Sequence, residues 1–122
     1  MKGMDRFGRL VVRTLRDDPL RFAKHLHARH WKAPSLHALQ QEFGALTKKE
    51  AALVQRVLDA ALHRGIHAFL FSLAEEMEKG TIQVSVKEGA LHELTDGMQG
   101  EPYGPDGWYE RYSKFKTGLD RE

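Results

Sequence analysis

Cysteine is absent from this 122-residue chain, which removes disulfides, thiolate nucleophiles and thiolate zinc sites together. Stability then has to come from packing, and any metal would need histidine and carboxylate ligands. Long apolar runs are missing as well. The longest stretch, Ile66 to Ala74, is interrupted by His67 and Ser72 and falls well short of the ~18 residues that span a bilayer. The opening Lys2-Gly3-Met4-Asp5-Arg6 has no apolar segment of the kind a signal peptide carries, so a cytoplasmic protein with no membrane partner is expected. Also lacking are a Gly-x-x-x-x-Gly-Lys-Ser/Thr phosphate loop, a Gly-x-Gly-x-x-Gly turn after a strand and a Gly-x-Ser-x-Gly elbow, so the common catalytic signatures are not there. Asp96-Gly97 with Glu101 lacks the alternating oxygen ligands of a calcium loop. Two Trp and an apolar content of 41% suffice for one modest core, hence one domain.

The stretch that is richly encoded runs from Thr47 to Gly80. Thr47 and Glu50 are spaced as a capping box, and Gly80 follows Glu78-Lys79 as a stop. Between them Leu53, Val54, Val57, Leu58, Ala61, Leu62, Ile66, Phe69, Leu70, Leu73 and Met77 recur at three- and four-residue steps, the period of a helix. Such a helix would be roughly 48 Å long, so a bend near Gly65 into two halves is expected. Ile66 to Ala74 is apolar nearly all round, which predicts burial on every side.

The rest of the chain reads as its neighbours. Residues 1–46 form a basic helical head, with nine Lys/Arg against Asp5, Asp17 and Asp18 in residues 1–32, or +6, which leaves −4 on the remaining ninety of a chain whose total is +2. Met4 to Arg16 reads as an amphipathic helix with Arg6, Arg9, Arg13 and Arg16 along one side, a solvated face or a nucleic-acid surface. Asp17-Asp18-Pro19 predicts a break, with Asp18 capping a second helix that ends before Ala33-Pro34. His25, His27 and His30 on it lack the paired spacing and the nearby carboxylate a metal needs. Ser35 is expected to cap a third helix with Leu36, Leu39 and Phe43 inward; its lack of Arg or Lys argues against a DNA-reading helix-turn-helix. Alternation in Thr81 to Val86 and the turn Lys87-Glu88-Gly89 predict a small hairpin over 81–94. A Gly-rich loop, 95–107, leads to a last helix, 108–117, capped by Asp106, with Trp108, Tyr112 and Phe115 on one side. Those aromatics serve the core, or stack nucleotides beside Arg111.

The sharpest catalytic constellation joins His63 and His67, one helical turn apart, to Asp96 and Glu101 in the loop. Arg64 occupies the place of the glutamate in a His-Glu-x-x-His motif. The alternative is structural, the two imidazoles bonding to the loop or to a carboxylate such as Asp96.

His67-Ala68-Phe69-Leu70-Phe71, Asp96-Gly97-Met98-Gln99-Gly100-Glu101 and Gly107 to Lys114 together resemble a group of small uncharacterised bacterial proteins, some similar in size and make-up to immunity proteins that neutralise toxins. The resemblance covers the second half and implies a fold family. The expectation is an α+β, mainly helical single domain with a long central helix, a hairpin and an aromatic C-terminal helix. Its expected role is a non-catalytic protein-binding module of immunity or anti-defence type, with no cofactor and a protein partner. The alternatives are a small metal-dependent or acid–base enzyme using His63, His67, Asp96 and Glu101, a nucleic-acid binder through the basic head, and a homo-oligomer.

Overall fold

Pro19 does not break the first helix. In the computed structural model, which describes residues 1–115, α1 (Gly3–Val12) continues through a π-helical turn, Arg13–Asp17, directly into α2 (Asp18–His27). Proline has no N–H and its ring crowds the carbonyl four residues back. The wide turn accommodates it, with the Asp18 N–H bonding the Arg13 carbonyl five residues earlier. Asp18 is therefore a helical residue and not the expected cap. The extra residue also changes which side chains face inward, turning Arg16 and Asp17 into the protein.

After α2 the chain reverses through Arg29, whose φ of 55° is left-handed, and a 3-10 turn at Pro34–Leu36 leads into α3 (His37–Gly44). Ser35 makes no cap bond. Leu39, expected inward, is exposed, and the buried group on this helix is Gln40, which holds the Trp31 backbone from both sides at 2.8 and 2.9 Å. Helix α4 (Lys48–Lys79) is one uninterrupted helix through Gly65, not two halves. Thr47 and Glu50 close the capping box at 2.9 and 3.1 Å, and Gly80, at φ 79°, ends the helix in the left-handed region that suits glycine. The bond from the Thr47 N–H holds the Glu50 carboxyl below its ordinary value of 4.5. The cap is thus fully present above that pH and is lost as pH falls through the lowered value.

The hairpin is shorter than its alternation suggests. Strands β1 (Ser85–Val86) and β2 (Gly89–Ala90) pair antiparallel across Lys87-Glu88. The expected return strand becomes a helical turn, α5 (Leu91–Leu94), because Leu91 is drawn fully into the core. The Gly-rich segment carries a 3-10 turn, Met98–Gly100, and leads to α6 (Trp108–Tyr112), which begins at Gly107 without the expected Asp106 cap. Residues 116 and 117 of the expected last helix lie outside the described residues. The molecule is a mainly helical α+β domain whose core joins Val11 and Val12 of α1 to Ile66, Leu70, Leu73 and Met77 of α4, with Leu91, Met98, Trp108 and Tyr109 completing it. Gly8 is required where α1 crosses α6, since a Cβ there would overlap the Trp108 indole.

Arg16 ties these layers together. Its side chain is 0% exposed and donates to the Ser113 hydroxyl and, at 2.8 Å, to the Phe115 carbonyl. It pairs with Asp59 of α4 at 3.1 Å and with Asp17 at 3.5 Å, over the Tyr109 ring at 5.0 Å. Asp17 in turn accepts the Ser113 hydroxyl at 2.7 Å and the Lys114 N–H at 2.8 Å. Arg16→Met would leave two buried carboxylates without their cation and is expected to cost about 3–5 kcal/mol in urea unfolding. A loss within ~1 kcal/mol would show that the network does not hold the layers.

Candidate functional site

Helical spacing brings His63 and His67 to one side of α4, as expected, but the group they meet is Tyr103. The tyrosine hydroxyl lies 3.4 Å from His63 Nε2 and 3.3 Å from His67 Nδ1. Its single proton can go to one imidazole while its oxygen accepts from the other. The three side chains and Arg64 line an open depression of about 270 Å³. Both contacts are longer than the usual range for such bonds. The arrangement brings the loop against the helix through Tyr103, not through a carboxylate such as Asp96.

The two carboxylates do not converge on the histidines. Glu101 accepts the Thr95 hydroxyl at 2.7 Å, and the Gly97 N–H reaches the same hydroxyl at 3.2 Å. Buried Met98 anchors the 3-10 turn between them, so Glu101 is committed to its own loop. Asp96 is exposed and lines a different depression, of about 300 Å³, with Glu75, Glu78 and His92. The expected four-residue constellation is therefore split by the path of the loop. Among the described residues no group of three or more His, Asp or Glu is placed to hold a metal ion.

The basic stripe is also broken. Arg6, Arg9 and Arg13 are exposed, whereas Arg16 is buried in the network described above. Arg111 binds Asp5 at 2.9 Å, a bond that raises its pKa further, and lies over Tyr112. Trp108 is buried edge-on against Phe7. Neither is available as a stacking platform.

No protein-family model, curated protein or solved structure matches this chain.

The largest departure from expectation is on α4. The segment Ile66 to Ala74 is not buried all round: Ile66, Leu70 and Leu73 face the core while Phe69 and Phe71 are exposed. Toward the N-terminus, Leu53, Val54 and Val57 are exposed as well, Val57 to 62%. The residue spacing in fact holds two stripes. One is the core stripe of Ile66, Leu70, Leu73 and Met77. The other runs Val54, Val57, Ala61, Arg64, Ala68, Phe71, alternating three- and four-residue steps, and all six are exposed. That alternation is the 3.5-residue period of helices that pack lengthwise on other helices. A third concavity, about 540 Å³ between α2 and α4, has Lys24, Lys48, Arg56 and Lys114 around it. Polar groups within it are already engaged: His27 with the Leu46 carbonyl, Gln55 with the Leu20 carbonyl and Asp59 with Arg16.

Tyr103→Phe removes the hydroxyl shared by the two histidines and is expected to cost about 0.5–1.5 kcal/mol in chemical unfolding. Zn²⁺ added to the wild type should leave Tm in place. A saturable rise in Tm would instead show that His63 and His67 recruit further ligands.

Proposed function

We propose that this protein is a non-catalytic protein-binding module that works in the cytoplasm by accepting a partner's amphipathic helix on the outer face of α4. The observation that carries the reading is the exposed stripe from Val54 to Phe71. Exposed apolar residues that recur along one face of a helix, here interrupted by Arg64, mark an interaction site more than residues scattered singly do. Its shape selects the partner. A straight stripe at 3.5-residue spacing suits another helix laid along it and does not suit a compact small molecule. Both ends of α4 carry mixed charge, Lys48, Lys49 and Glu50 at its start and Glu75, Glu78 and Lys79 at its end, so a partner helix would meet polar flanks beyond the stripe.

Two further features support a binding role over a catalytic one. The histidine pair is occupied with Tyr103, and Glu101 is taken up within its own loop. An immunity or anti-defence protein, the finer form of this reading, would act in the same way, by covering a surface of its target.

The test is crosslinking in the native host, comparing wild type with Val57→Asp/Phe71→Asp. Both side chains are solvent-exposed, so the double variant should fold with stability within about 0.5 kcal/mol per site of wild type. Its complexes should be lost, while wild type is captured in complexes crosslinked through lysines flanking α4. Complexes that persist unchanged in the double variant would contradict the assignment.

A further inference from the structure

We infer that the groove between α2 and α4 is a binding site for a medium-chain fatty acid, held as its carboxylate. The groove shares no residue with the outer stripe of α4, so this site is independent of helix docking there.

The shape follows from how the two helices lie. The Gln55 side chain donates to the Leu20 carbonyl at 3.1 Å, and His27 Nε2 donates to the Leu46 carbonyl at 3.0 Å. Residues therefore advance along α2 as they recede along α4, and the space between these two bonds is elongated. Small side chains leave it open, Ala23 on α2 and Ala51 and Ala52 on α4. Leu20, Phe43 and Phe115 complete the apolar lining. Along α4 the lining runs from Lys48 to Asp59, roughly 17 Å at ~1.5 Å per residue. An alkyl chain of about ten carbons, on the order of 11 Å when extended with bonds of ~1.5 Å, fits that length. The volume of about 540 Å³ lies in the range of small-molecule sites.

The polar groups of the floor select against a peptide. His27 and Gln55 are spent on those carbonyls and Asp59 on Arg16. An extended peptide laid here would bury N–H and C=O groups without partners, which is costly. A helix satisfies its own backbone, but one about 10 Å across displaces roughly 1,300 Å³ over this length, so most of it would stand outside the groove. A hydrocarbon chain has no polar group to satisfy and gains by leaving water.

Charge selects the head group. Lys24, Lys48, Arg56 and Lys114 are exposed and border the groove. Among the described residues that line it the one carboxylate is Asp59, 3% exposed and paired with Arg16 at 3.1 Å. The lining thus offers these four cations no exposed carboxylate. Lys24 Nζ lies 5.1 Å from the centre of the Phe115 ring, which sets an ammonium directly beside the apolar wall. A carboxylate at the end of an alkyl chain meets both, and Arg56 has the planar fork that matches it.

Isothermal titration calorimetry of the full chain tests this with decanoate, with decyltrimethylammonium and with acetate. Decanoate should bind at one per chain with Kd below about 1 mM, more weakly as salt is added. The cation with the same chain and the head group alone should not bind. Lys24→Glu/Arg56→Glu, which reverses two rim charges, and Ala52→Trp, which fills the groove without changing charge, should each weaken decanoate by about tenfold or more. All three side chains are exposed, and circular dichroism checks that each variant keeps the wild-type helical signal. Val57→Asp/Phe71→Asp should bind decanoate as wild type does. Decanoate that does not saturate at one per chain, that binds no better than decyltrimethylammonium, or that binds the folded groove variants as tightly as wild type overturns the assignment. Binding lost only in Val57→Asp/Phe71→Asp overturns it as well, by placing the alkyl chain on the outer stripe.

Discussion

The buried guanidinium of Arg16 is the interaction on which the arrangement of this protein depends. One cation is shared by Asp17 beside it and Asp59 on α4, and the same group reaches Ser113 and Phe115 at the far end of the sequence. Burying a charge is costly unless its partners and hydrogen bonds are in place. Any misplacement of the first helix, of α4 or of the 113–115 segment would leave part of this cluster unpaired. The network thus fixes where α4 lies and which of its sides faces inward.

The π-helical turn makes that burial possible. With a regular α-helical turn across residues 13–17, Pro19 would clash with the carbonyl four residues before it. The wider turn relieves the clash and in the same step points Arg16 and Asp17 at α4. Once α4 is held by Asp59 and by its core stripe of Ile66, Leu70, Leu73 and Met77, much of its opposite side is left exposed. Val57, 62% exposed, and Phe71, 46% exposed, are the outcome. A fold that encloses one side of so long a helix leaves a second, largely apolar stripe uncovered among the described residues.

What was legible in the sequence was local. The capping box at Thr47 and Glu50, the stop at Gly80 and the Lys87-Glu88 turn are fixed-spacing signals, and each is where the spacing places it. The adjacency of His63 and His67 follows from helical geometry alone. Features that depend on distant packing were not legible. Asp17-Asp18-Pro19 carries the residues of a break, and only the pull of Asp59 and Ser113 on Arg16 shows why the helix continues. Leu91 falls in the expected return strand of the hairpin, but it is fully buried and that segment is helical. Asp96 and Glu101 are near each other in sequence, and the Met98 anchor sends them to different surroundings. Tyr109 falls outside the Trp108, Tyr112, Phe115 spacing, yet it is completely buried beside Arg16. On α4, two interleaved stripes read as one broad apolar helix until the core shows which residues it uses.

The most direct measurement of the central claim, that the outer side of α4 accepts a partner helix, is hydroxyl-radical footprinting of the protein alone and in lysate of its native host. Val57 and Phe71 should be labelled readily alone and protected in the lysate, while the exposed Leu10 and Leu15 on the first helix are labelled equally in both. Labelling of Val57 and Phe71 that is the same in both would contradict the account.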